Sequence, residues 1–278
     1  VTDVIVVGAG LTGVCTAAEL ARSGLDVLLL GQGVPGDGLP PLAWLPTGVG
    51  PHADVWRRCG GDFLLDRDPV PVLRDGAEVR LGTRVDPLAL LGAWISECAR
   101  LGVTLRLATP VLGLVRFGGG VTAVRTVAGT FAASTTVLAA GLRTSRLLAG
   151  TPGDVVLGIS TRRWWLLGRG VDGPADALVD LGDGDWLAKD AAGRTYVERG
   201  AGRELGIGGA AVLDEGTLRL TTTPDGEPIV GPPAWTSGAV VACSGDRGAA
   251  AMLEVADAVV AGIRSGAWDG PLRATRGL

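Results

Sequence analysis

Three glycines, Gly8, Gly10 and Gly13, follow the apolar run Val4-Ile-Val-Val at the spacing G-x-G-x-x-G. This spacing does its chemistry by leaving side chains out. Gly8 permits a tight turn, Gly10 lets a pyrophosphate reach the backbone, and Gly13 lets a helix pack closely on the strand before it. Free amides at the helix start then receive the phosphate. Residues 12–23 carry helix formers with apolar positions at helical spacing, and Gly24 stops the helix before the strand at 25–30. The motif therefore has the strand, turn and helix that it needs, and the expected contacts to a bound dinucleotide come from Gly8, Ala9, Gly10, Leu11, Thr12 and Gly13.

One element of such a site is missing. The second strand should end in a carboxylate for the adenosine ribose, but Leu30 is followed by Gly31 and Gln32. Two readings stand: Gln32 or a water replaces the carboxylate, or cofactor affinity has weakened or been lost. If the adenosine lies in the usual place, Gly31→Glu is expected to restore an acceptor and tighten binding by ~1.5–3 kcal/mol.

Other reactive residues are sparse. His52, the single histidine, lies just after a Pro/Gly-rich segment at 33–51, so a Ser-His-Asp or Cys-His mechanism would have to run through it alone. Lys189 is the one lysine beside two dozen arginines, leaving lysine Schiff-base chemistry one candidate. Cys15, Cys59, Cys98 and Cys243 are scattered with no C-x-x-C pair, which argues against a metal site. Cys15 and Cys98, among alanines in helical stretches, read as buried small side chains. The adjacent pair Trp164-Trp165 points to opposite faces if it lies on a strand, one in the core and the other lining a pocket or an interface.

The elements that must position these residues are those of an enzyme-sized globular protein. The chain has 278 residues, 47% hydrophobic and 19% charged, and a net charge of −4, which gives no basic footprint for nucleic acid. No apolar run approaches a membrane span, and the chain enters a strand at once, so a cytoplasmic protein without membrane association is expected. The segment 33–51 excludes a helix or a long strand, and 54–61 reads as a short helix. Residues 70–81 alternate as two strands around Asp75-Gly76. Asp86 is a natural N-cap with Pro87 at the first helical position, giving a helix over 86–101 that Gly102 ends. Strands are expected over 103–107, 111–117, 121–127, 130–133 and 137–141, with a short helix over 143–149. Six further strands are expected over 155–161, 163–167, 176–181, 186–190, 195–199 and 205–209, with turns at Asp183-Gly184 and Ala192-Gly193.

At this point the residues carry a family resemblance. The opening motif, Gly82-Thr-Arg-Val-Asp-Pro-Leu, Gly102-Val-Thr-Leu, Thr109-Pro-Val-Leu-Gly and Val137-Leu-Ala-Ala-Gly resemble the flavoproteins of the D-amino-acid oxidase superfamily, especially its glycine oxidase and sarcosine oxidase branch. The tail agrees: Thr223-Pro-Asp-Gly-Glu-Pro-Ile-Val-Gly and Ala239-Val-Val-Ala-Cys-Ser-Gly-Asp-Arg-Gly resemble that family's closing flavin-binding segment. About two thirds of the chain is covered, in the family's order.

The resemblance implies an α/β fold: a Rossmann-like FAD-binding domain with a parallel sheet (1–35, 82–150 and 215–278), and a smaller, shortened, mainly antiparallel β substrate domain (36–81 and 151–214). It implies non-covalently bound FAD and oxidation of the C–N bond of a small amine or amino acid to an imine. Cofactor contacts then fall at the glycine motif and at Gly31, Gln32, Val111, Ala139, Ala140, Gly141, Gly245, Asp246, Arg247, Gly248 and Ala249. The flavin carries the chemistry, so the chain need supply few acid–base groups. Arg247 and Trp164 are the weak catalytic candidates, with Asp246 capping a helix from Arg247 whose N-terminus would face the flavin. Relatives that hold a substrate carboxylate place an arginine four residues before the proline of T-P-D-G. Here that position is Leu220, and Arg219 lies one place away, on the opposite face of a strand. The thiol used for covalent attachment falls at Leu218. Segments that relatives carry after strand two and before T-P-D-G are short here, so the site is either open or completed by a partner subunit or a second copy. A non-redox role for the fold, as a cyclase or isomerase or as a supporting subunit of a larger oxidoreductase, is the competing expectation.

Overall fold

The computed structural model describes residues 2–36, 39–46, 63–65, 69–149, 155, 157–172, 174, 177–190, 193–205, 210–234 and 236–268. His52, Cys59 and the helix expected over 54–61 lie outside them. The chain divides into two compact units: Val1–Asp37, Leu91–Ile159 and Leu220–Leu278 form the first, Gly38–Leu90 and Ser160–Arg219 the second.

The first unit is built on a parallel sheet. β1 (Val4–Val7) and β2 (Val27–Leu30) are buried along their whole length, which continuous runs of Val, Ile and Leu permit. α1 (Leu11–Arg22) connects them. β1 pairs in parallel with β2 on one side and with β10 (Thr135–Leu138) on the other. β6 (Thr104–Arg106) extends the sheet beyond β2, β17 (Ala239–Cys243) extends it beyond β10, and β16 (Ile229–Gly231) closes that edge antiparallel. Ile5, Val7, Leu28, Leu138 and Val241 form the centre of the core. α2 (Pro87–Arg100) starts as the sequence dictates, since Asp86 Oδ1 accepts the Leu88 and Ala89 amides at 2.9 and 3.0 Å. Within this unit Glu97, 3% exposed, accepts both Arg22 of α1 and Arg100, tying the two helices together. β7 (Val111–Phe117), β8 (Gly120–Thr126) and β9 (Gly129–Ala132) form an antiparallel meander, and α3 (Arg143–Leu148) follows β10. α4 (Met252–Ser265) packs on α1.

The second unit is centred on an eight-stranded sheet. Its strands are β3 (Ala43–Pro46), β4 (Val70–Arg74), β5 (Ala77–Val85), β11 (Gly158–Leu167), β12 (Leu178–Gly182), β13 (Asp185–Lys189), β14 (Thr195–Gly200) and β15 (Val212–Thr222), with β11 and β15 running on into the first unit. Their order across the sheet is β15-β11-β14-β13-β12-β4-β5-β3. All pairs with a described register are antiparallel except β12 with β4. Both Asp-Gly turns have positive φ at both central residues, at Asp75-Gly76 and Asp183-Gly184, as the twist of a tight hairpin requires. Both faces of the sheet are covered. Trp164 packs with Tyr196, Trp186 and Val72 on one face, and Trp165 with Leu167, Leu187 and Val197 on the other.

One expectation is corrected here. Residues 158–167 form one strand where two are expected on either side of Arg162, because Arg162 is buried and paired within the sheet rather than placed in a turn. β15, eleven residues long and largely exposed, is legible only in part, since its polar sequence lacks the alternation of a half-buried strand. Of the strand expected over 205–209, residue 205 is irregular and the rest lie outside the described residues. No helix among the described residues is long and apolar enough to cross a membrane.

Candidate functional site

The carboxyl ends of β1 and β10 form the point where the parallel sheet changes winding direction, which is where open α/β sheets bind ligands. The glycine motif lies there. Gly8 has φ +117°, and a Cβ on it would fall 2.2 Å from the Ala139 carbonyl oxygen. A Cβ on Gly13 would fall 1.8 Å from the Gly8 oxygen and 3.4 Å from the Ala139 Cβ. The two glycines thus let the β1 turn, α1 and the β10 end interlock, while the Ala139 amide donates to Val7 O at 2.9 Å. Gly10 is different: it is extended (φ −80°, ψ 176°), caps α1 without a side-chain hydrogen bond, and has nothing within 4 Å of where its Cβ would be. An open cradle therefore faces the first turn of α1, whose leading amides have no partner within the helix. This is a fit for a pyrophosphate.

Of the other sequence candidates in the first unit, Ala139 and Ala140 lie against the Gly8 turn. Thr12 Oγ1 and Ser244 Oγ are hydrogen bonded at 2.6 Å, joining the start of α1 to the end of β17. Gly141 has φ +54° with Thr221 Oγ1 3.0 Å from its Cβ position, and Val111, 4% exposed, has its carbonyl held by Arg143 at 3.3 Å. The segment Gly245–Ala251 is a 3₁₀ turn interrupted at Gly248 (φ 50°, ψ −125°), where a Cβ would meet nothing. Helix α4 starts at Met252, not Arg247, and Asp246 does not cap it: its side chain instead lies 3.3 Å from the Cβ position of Gly226. Arg247 is engaged by Glu254 at 2.9 Å and Glu227 at 3.4 Å, so its charge is balanced by its own neighbours.

Gly31 overturns an expectation. A Cβ there would lie 2.8 Å from both Ala9 Cβ and the Leu107 carbonyl oxygen, because Gly31 N donates to Arg106 O and Thr109 N to Gly31 O as the chain after β6 crosses it. Glycine is required here by close backbone approach. Gly31→Glu is therefore expected to leave cofactor affinity no tighter and to cost about 1–3 kcal/mol of stability, as overpacking does; chemical denaturation beside a cofactor titration checks both. Gln32, exposed and bridged to Ala108, is the remaining side chain at this strand end.

Sequence reasoning missed a buried polar network in the second unit. Arg162 Nε donates to Glu198 at 2.6 Å, and Arg162 Nη2 to the Gly184 carbonyl at 2.5 Å and to Asp185 at 3.2 Å. Tyr196 donates to Glu198 at 3.0 Å, and Trp186 also hydrogen bonds the carboxylate. Asp185 accepts Arg203 at 2.9 Å and the Gly200 amide at 2.8 Å. Burial raises Glu198 above the ordinary carboxylate range despite Arg162 and these hydrogen bonds. Burial, with the Glu198 charge adding to it, pushes Tyr196 far up, so its phenol is a fixed donor and not a base. Burial likewise raises the Cys243 thiol and keeps it protonated. Cys15 and Cys98 are buried and not disulfide bonded, and the described residues hold no cluster that could bind a metal. Trp164 is half-buried, stacked on Tyr196 at 6.2 Å, and Trp165 is buried. Leu218 is buried and Arg219 exposed, the alternation expected of a strand.

The fold and the glycine cradle define a dinucleotide-binding α/β protein with an added β-rich unit. The FAD dependent oxidoreductase family model matches residues 3–39 and 47–217, so the chain belongs to the FAD dependent oxidoreductases. No curated protein matches it by sequence. Among solved structures it is similar to glycine oxidase from Geobacillus kaustophilus (18% identity, TM-score 0.75, covering 100% of this chain and 99% of that one). It is also similar to L-amino acid deaminase from Proteus myxofaciens in complex with anthranilate (13%, TM-score 0.75, 99% and 92%). A third is L-proline dehydrogenase from P. horikoshii (15%, TM-score 0.70, 98% and 95%). At these identities the likeness is one of fold.

Proposed function

We propose that this protein binds FAD non-covalently and oxidises the C–N bond of a small amine or amino acid to an imine, as an oxidase or dehydrogenase. The observation that carries the reading is the open Gly10 cradle at the switch point of the parallel sheet, in a chain of the FAD dependent oxidoreductase family. The names of the similar structures, which specify glycine, L-amino acids and L-proline, support the substrate class. The first unit is the FAD-binding part and the second the substrate part.

When bound, FAD supplies the acceptor for the hydride leaving the carbon that bears the nitrogen. The chain's own work is to hold and to exclude. The first-turn amides of α1 take the pyrophosphate, with Ala9 and Leu11 flanking the open glycine. Leu218, an apolar side chain at the position where related enzymes attach their flavin, offers no nucleophile, and the protonated Cys243 thiol is a poor one. Arg247, balanced by Glu254 and Glu227, acts as a structural tie rather than an acid or base.

Gly10→Val tests the reading. Gly10 is extended and its Cβ space is empty, so valine fits the fold at a cost of at most about 1 kcal/mol for the weaker cap. It nevertheless fills the place where the pyrophosphate meets the backbone. FAD affinity by fluorescence titration is expected to fall at least about tenfold, or ~1.4 kcal/mol, with the circular dichroism unchanged. Wild-type cofactor content in the variant would reduce the motif to a turn. A second reading, a non-redox role, is favoured by the closed space at Gly31; it requires purified protein that stays colourless after added FAD.

A further inference from the structure

At the hairpin tips of the eight-stranded sheet, β4, β5, β12 and β13 enclose a concavity of about 150 Å³, lined by Trp44, Val72, Arg80, Leu178, Asp180 and Trp186, with Arg74 at its edge. Its floor is set by register. Leu178 lies beside Val72, and Trp186 beside Asp180, while Arg80 stands opposite Val72 on β5.

Two of its arginines share one carboxylate. Arg74 donates to Asp180 at 2.6 Å, whereas Arg80 approaches the same carboxylate only to 3.9 Å, too far for a hydrogen bond. Asp180 is held below the ordinary carboxylate range: burial alone would raise it, but the Gly182 amide, Arg74 and Arg80 outweigh that. The other lining carboxylate, Asp185, is taken up by Arg162, Arg203 and the Gly200 amide. Arg80, the more distant of the two, lies over the Trp44 ring, 4.6 Å from its centroid, with its side chain 48% exposed. A guanidinium placed over an indole, sharing its carboxylate with a second arginine, can turn donors toward a planar anion.

We propose that this concavity binds a small organic carboxylate with an apolar body: the carboxylate on Arg80, and a single ring or short hydrocarbon chain against Val72, Leu178 and Trp186. A concavity of about 150 Å³ has room for about one ring, which sets the ligand's bulk. Every residue named in it belongs to the second unit, so its test does not need bound FAD.

Isothermal titration of the purified full chain with phenylacetate and with phenylacetamide, with and without FAD, tests it. Phenylacetate is expected to bind with millimolar affinity and the neutral amide about tenfold more weakly. Arg80→Gln, at an exposed side chain whose loss leaves the fold intact by circular dichroism, is expected to weaken phenylacetate about tenfold. Asp180→Asn frees Arg74 and removes the competing carboxylate, so it should tighten phenylacetate severalfold. Equal binding by wild type and Arg80→Gln, weaker binding by Asp180→Asn, or no preference for the acid over the amide would each overturn the proposal, whatever the outcome with FAD.

Discussion

Gly13→Ala is expected to lower stability by about 3 kcal/mol or more, although it adds one methyl group to a helix, where alanine is normally the better residue. The added carbon would fall 1.8 Å from the Gly8 carbonyl oxygen and 2.9 Å from its carbon. Both are backbone atoms. Gly8 cannot yield alone, because it is held at φ +117° and its own Cβ position lies 2.2 Å from the Ala139 oxygen. Relief would require α1, the β1 turn and the end of β10 to separate together, in the most fully buried part of the sheet. A thermal midpoint lower by roughly 6–12 °C is expected for a chain of this size. Gly10→Val is the matched control, with its small capping cost. Equal midpoints for Gly13→Ala and Gly10→Val would show that the interlock of α1 with the β1 turn yields more readily than its distances imply.

Arg162→Leu is expected to cost about 3–5 kcal/mol at neutral pH, the usual result of removing one partner from a buried ion pair. Glu198, 7% exposed, would keep Tyr196 and Trp186 as donors but lose the cation at 2.6 Å. Asp185 would lose less, keeping Arg203 and the Gly200 amide. The deficit should depend on pH with a definite sign. Burial already raises Glu198 above its ordinary value of 4.5, and removing Arg162 takes away an interaction that lowers it. Above the unfolded value the native variant binds a proton that the unfolded chain releases, so variant stability falls as pH rises through the window between the unfolded and native values. The gap to wild type therefore narrows as pH falls toward the carboxylate range, where a protonated Glu198 needs no cation. Adding Glu198→Gln should recover part of the loss at neutral pH. Denaturant melts at several pH values check this; a small deficit that ignores pH would mean water reaches Glu198.

The elements legible in the sequence are those whose signal is local. The β-branched run before Gly8, the Asp86-Pro87 helix start and the two Asp-Gly turns are each decided within a few residues, by burial pattern, capping or positive φ. Arg162, a charged residue between Thr161 and Arg163, has the local look of a turn; its partners Glu198 and Asp185 come from other strands. Gly31 and Gln32 are legible as the absence of a carboxylate, but not as a space closed by Leu107.

The sequence by itself determined the family and the parallel strand with its glycine turn, because these depend on residue type at fixed spacing. Only the tertiary structure decided which glycine is open and which is enclosed, that Arg247 is balanced by Glu227 and Glu254, and that Arg80 rests on Trp44 beside a shared Asp180. Whether a charge is paired or a Cβ has room depends on atoms brought from distant parts of the chain, and no local pattern of residues records that distance.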